Sequence, residues 1–135
     1  MGTSRPIRWT GLAGAVVVGA ALVVGGTALP AAAKDGDVVK RATCSGTSVT
    51  TLKLSAEGRR IETEFEVDSN RNGQRWSVAI YRNGTKSVST AAVTKAPSGS
   101  FSVRALLADS AGRETVKGLA SNGATGEVCR VTAVF

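Results

Sequence analysis

The chain has 135 residues, about one domain's worth, with 17 basic against 10 acidic residues and no histidine. The missing histidine excludes Ser-His-Asp and Cys-His catalysis and every histidine-held metal. Few aromatics and no block of basic residues argue against nucleic-acid binding.

Residues 1–33 read as a targeting segment. Arg5 and Arg8 form a basic start, Gly11 to Gly26 is a run of small apolar residues, and Pro30 precedes the A-x-A pattern Ala31-Ala32-Ala33. Each part matches a secretory signal peptide. The alternative is an uncleaved anchor, because Trp9 to Ala33 is uncharged and long enough to span a bilayer. That segment is the only expected membrane contact. Either way the rest of the chain is placed outside, since the basic residues stay on the cytoplasmic side. The expectation is a signal-peptide helix over 1–33 and one domain over 34–135. That domain holds fifteen basic and ten acidic residues, a net +5. Such an excess suits adhesion to an anionic surface such as a wall polymer, and it also serves solubility.

After a short polar leader, Cys44 is placed in the first strand, and Leu52 and Leu54 flank Lys53 in the next. Ile61, Thr63, Phe65 and Val67 then alternate with Glu62, Glu64, Glu66 and Asp68. This is the period-2 signature of a half-buried strand. Trp76, Val78 and Ile80 repeat it, as do Phe101, Val103, Ala105 and Leu107, and finally Cys129, Val131, Ala133 and Phe135. Glu57-Gly58, Asn72-Gly73, Asn83-Gly84, Pro97-Ser98-Gly99, Ser110-Ala111-Gly112 and Asn122-Gly123 punctuate these runs. Asn-Gly is the strongest short hairpin signal. Regular turns about every ten residues predict an all-β fold, an immunoglobulin-like antiparallel sandwich of seven to eight strands. One register stays open. A two-residue turn at Asn83-Gly84 sets Ile80 against Ser87 and points Val88 outward, so the following strand is either an edge strand or carries a bulge.

The only two cysteines, Cys44 and Cys129, lie in the first and last strands of the domain. An even count in an exported domain predicts a disulfide, against the alternative of two buried thiols. The bridge would make the terminal strands neighbours, or set them facing across the core.

Cys44-Ser45-Gly46, Gly73-Gln74-Arg75-Trp76, Pro97-Ser98-Gly99-Ser100-Phe101 and Thr125-Gly126-Glu127-Val128-Cys129 resemble pieces of small secreted actinobacterial proteins. Ala108-Asp109-Ser110-Ala111-Gly112 is similar to the strand-end turn of bacterial immunoglobulin-like and fibronectin III-like domains. The resemblance implies a fold and a compartment, and it carries over no functional residue.

Candidate chemistry is sparse. Glu62, Glu64, Glu66 and Asp68 share one face, but general acid catalysis needs a carboxyl buried in a cleft, and an outer sheet face is by default solvated. Arg75 is the expected cross-strand partner of these acids. Asp68-Ser69-Asn70-Arg71-Asn72-Gly73 matches the first half of an EF-hand loop, with oxygens at Asp68, Asn70 and Asn72. Ala79 stands where the bidentate glutamate belongs, so a polar hairpin loop is the plainer reading. Trp76 falls on the inner face as core, while Tyr81 falls on the outer face as a candidate contact. Asn83-Gly84-Thr85 is a glycosylation sequon that the turn itself explains. No cofactor is implied. The expected role is a non-catalytic extracellular binding module for another protein or an anionic wall polymer. The alternative is a hydrolase inhibitor using the loop Lys95-Ala96-Pro97-Ser98-Gly99, although no disulfide flanks that loop to rigidify it.

Overall fold

Alternation of apolar and polar residues gives every strand one face to bury, and two sheets satisfy this by stacking those faces. In the computed structural model, which describes residues 36–135 together with Gly2, the chain does this with eight antiparallel strands. The signal-peptide helix expected over residues 1–33 lies outside the described residues, Gly2 apart. The strands are β1 (Val38–Thr43), β2 (Val49–Glu57), β3 (Arg60–Asp68), β4 (Arg75–Arg82), β5 (Thr85–Val93), β6 (Ser100–Ala108), β7 (Thr115–Asn122) and β8 (Val128–Val134). One sheet has the order β1-β2-β3-β6 and the other β5-β4-β7-β8. The expected β-sandwich is therefore present. Its order keeps the A-B-E and C-F-G neighbours of immunoglobulin-type sheets as β2-β3-β6 and β4-β7-β8. It differs from constant domains in the extra strand β1 beside β2 and in β5, which joins β4 rather than completing the other sheet as strand D does.

The core forms from the inward positions read in the sequence. Leu52, Leu54, Ile61, Phe65, Val67, Trp76, Val78 and Ile80 are buried, and Phe101, Leu107, Val131 and Ala133 join them. Phe65 packs against Gly118 of β7, where a Cβ would overlap its ring. Gly118→Ala is accordingly expected to lose about 1–3 kcal/mol by overpacking. Urea denaturation measures this, and Phe65→Leu in the same chain should recover part of the loss.

The open register resolves in favour of both readings. β5 is an edge strand, and the pairing shifts between Ile80 and Tyr81, so that Tyr81 faces Lys86 and Ile80 faces Val88. The bulge turns Val88 inward, against the core. At the tip of this hairpin Asn83 (φ 49°) and Gly84 (φ 81°) both adopt the left-handed conformation that the Asn-Gly pair anticipates.

Asn72-Gly73 does something else. β3 and β4 belong to different sheets, so residues 69–74 cross between sheets rather than closing a hairpin. The left-handed residues there are Asn70 (φ 57°) and Gly73 (φ 75°), not an adjacent pair. Arg75 consequently lies in the sheet opposite β3 and cannot balance its acids. Arg104 of β6 takes that role, with Nη2 at 3.1 Å from Glu64 Oε2. Lys53 of β2 sits 3.1 Å from Asp37, and its ammonium holds that carboxyl below the usual range.

Candidate functional site

Following the antiparallel pairings along the chain places four connections at one end: residues 44–48, 69–74, 94–99 and 123–127. The disulfide is at this end. Cys44, immediately after β1, bonds Cys129 of β8, with Cα atoms 4.3 Å apart. β1 and β8 are edge strands of opposite sheets, so the bridge staples sheet to sheet. The neighbouring Ser45 N–H donates to Val128 O (2.8 Å), and Val128 N–H donates to Ser45 Oγ (2.8 Å).

The loop read as half an EF-hand is also here, and it is a brace between sheets. Asp68 Oδ1 accepts the Asn70 N–H at 3.0 Å. Ser69 N–H and Oγ both donate to Gly99 O, Gly73 N–H donates to Thr94 O, and Thr94 Oγ1 donates to Arg71 O. Gly99 packs so tightly on the Asn70–Arg71 backbone that a Cβ would overlap it. Hydrogen bonds thus rigidify the 94–99 loop where no disulfide does. The same bonds close it: Lys95 O accepts from Gly99 N–H and Ser100 N–H, and Lys95 N–H donates to Ser100 O. A protease reading Lys95 through main-chain bonds would find both groups engaged.

Among the described residues, Cys44, Glu127 and Cys129 form a group of potential metal-ligating side chains, but both sulfurs belong to the disulfide.

The opposite end is organised by a residue that sequence reasoning passes over. Glu114 is 1% exposed. Its carboxylate accepts from Ser110 N–H (2.7 Å), Arg82 Nη1 (3.0 Å) and Asn83 Nδ2. Burial pushes its pKa up, but these donors outweigh burial and hold the carboxyl below the usual glutamate range. Asn83 Oδ1 in turn accepts the Thr115 N–H (2.8 Å), so the sequon side chain is bound at both of its ends. The parity of Val116 and Ala120 extends back to position 114, and that signal would have placed Glu114 inward.

The broadest chemical contrast is between the two outer sheet faces. The strands β1, β2, β3 and β6 carry five basic and five acidic residues. The strands β4, β5, β7 and β8 carry Arg75, Arg82, Lys86, Lys117 and Arg130, and no acid at all. Basic and acidic residues are equal in number in the rest of 34–135, so the whole +5 excess resides in this second sheet. Arg82 turns to Glu114; Arg75, Lys117 and Arg130 adjoin core residues and so face outward, and the bulge sets Lys86 opposite outward Tyr81. Tyr81, the contact expected from its outward parity, sits between Lys86 on β5 and Lys117 on β7 in directly paired positions. The Lys117 Nζ lies 4.5 Å and the Lys86 Nζ 5.8 Å from its ring centroid. Beside the ring is a shallow depression of about 280 Å³ floored by Ser77, Ala79, Ser89 and Ser121.

No family model matches the chain, and no curated protein is significantly similar to it. The likeness to small secreted domains therefore rests on the β-sandwich alone.

Proposed function

We propose that this chain is an exported, non-catalytic binding module whose basic sheet face engages an anionic polymer of the cell surface. The observation that carries the reading is the segregation of charge: four outward basic residues, two of them flanking Tyr81, on strands without a single acidic side chain. A one-signed face attracts a polyanion over several ångströms, and hydroxyl-lined space beside an amphipathic ring offers short-range contacts. The leader and the Cys44–Cys129 bridge, with Cys129 fully buried, are compatible with folding outside the cytoplasm.

Retention on isolated cell walls tests the proposal. Replacing Lys86, Lys117 and Arg130 by alanine together is expected to weaken retention roughly tenfold or more at low salt, from three partly exposed charge contacts. Wild-type retention should fall as salt rises. Replacing Lys40 and Arg41 on β1 should change it little. Equal losses from both sets, or retention indifferent to salt, would defeat the proposal; selective capture of a protein component would shift the partner to that protein.

A further inference from the structure

Between the loops of the disulfide end lies a cavity of about 180 Å³, whose walls include Ser48, Arg71, Gln74, Trp76, Asn122 and Glu127. It is separate from the basic face, since Trp76 points inward. Trp76 is 1% exposed and its ring packs 6.2 Å from that of Phe101, centroid to centroid. Its Nε1–H nevertheless has no acceptor, and the buried Gln74 Oε1 has no donor, among the described residues. Buried polar atoms without partners are rare in folded proteins, and a phenylalanine would fill the Trp76 position without leaving an orphan donor. Both residues line the same cavity, so a lone donor and a lone acceptor belong to one space.

Glu127 adds a third demand. Among the described residues its Oε1 accepts only the Ser48 N–H, at 3.2 Å, and its Oε2 lies over Gly46, where any Cβ would overlap the carboxylate. The carboxylate therefore has lone pairs to offer a donor. A bare cation is a poor match, because the Trp76 N–H opposes it. An anion is opposed by Glu127. The complement is a neutral group that donates and accepts from one atom, which is a hydroxyl. The volume equals that of about six waters and falls below that of drug-sized pockets, so the ligand is small.

The geometry points to a site for a polyhydroxy ligand, a single sugar ring or polyol, held by the Trp76 N–H, the Gln74 carbonyl and the Glu127 carboxylate. Such a ligand meets all three demands with adjacent hydroxyls. β1 begins at the other end of the sandwich, so the chain leading into it does not cover the cavity mouth.

The indole resonance of Trp76 reports occupancy directly. The full chain has two tryptophans, and Trp9→Phe assigns the signal. Isotopically labelled protein is titrated with glucose, inositol and glycerol, and in parallel with acetamide. At least one polyhydroxy probe is expected to move the Trp76 Nε1–H resonance saturably. Gln74→Leu should weaken that binding tenfold or more while raising the melting temperature, since it removes an orphan acceptor at similar volume. Should Gln74→Leu fail to fold, Glu127→Gln carries the test, with the same loss of affinity. The site is refuted if no polyhydroxy probe moves the resonance and only water fills the cavity, if the folded variant responds as the wild type does, or if acetamide binds as tightly as the best polyhydroxy probe.

Discussion

Reduction of the Cys44–Cys129 bridge should lower the melting temperature by roughly 15–30 °C, the largest single effect the structure implies. The bond spans 85 residues of sequence, and closing so long a loop in the unfolded chain is worth about 4 kcal/mol in the chain-entropy model. The native fold need not rearrange. Ser45 and Val128 stay joined by two hydrogen bonds of 2.8 Å, and β1 remains paired with β2. The loss therefore acts on the freedom of the unfolded chain, and reduced protein well below its new midpoint should keep its strand content. β1 and β8 are edge strands, so their amides should be the first to lose exchange protection. Scanning calorimetry with and without reductant is the measurement; a drop under about 5 °C would mean that the bridge does not govern stability.

Glu114→Ala should cost about 3 kcal/mol. The substitution strips acceptors from Arg82, Asn83 and the Ser110 amide together, loosening the β4–β5 turn and the 109–114 connection at once. The Arg82 side chain keeps 29% of its exposure, which relieves its lost partner and sets the cost at the lower end for a broken buried pair. The pH dependence follows from the direction of the shift. The folded carboxyl titrates below its unfolded value of about 4.3, so its contribution is complete above that pH and disappears as pH falls through the lower folded value. Equilibrium unfolding of wild type and Glu114→Gln should thus show a gap at pH 7 that closes on acidification. A gap unchanged down to pH 2 would show that Glu114 does not act through its charge.

How much of this can be read from residues alone differs by feature. The runs Ile61–Val67, Trp76–Ile80 and Cys129–Phe135 declare their inner faces, because period-2 alternation is a local property of a half-buried strand. Sheet membership is not local. Alternation says which way Arg75 points but not which strand lies beside it, and so it matches the acids of β3 to the wrong arginine. Asn83-Gly84 and Asn72-Gly73 look alike as dipeptides, yet only the first joins strands of one sheet. The basic face is hidden for the same reason. Arg75, Lys86, Lys117 and Arg130 are scattered over 56 positions and become one surface only when β4, β5, β7 and β8 are set in order. The cavity at the disulfide end draws on three separate loops, and no local pattern announces it.

Mapping the bound surface decides the functional account. Isotopically labelled protein titrated with purified anionic wall polymer should show backbone shift changes at Arg75, Tyr81, Lys86, Lys117 and Arg130, fading as salt is added. Changes confined to β2, β3 and β6, or none at any polymer concentration, would contradict the assignment of that face as the binding surface.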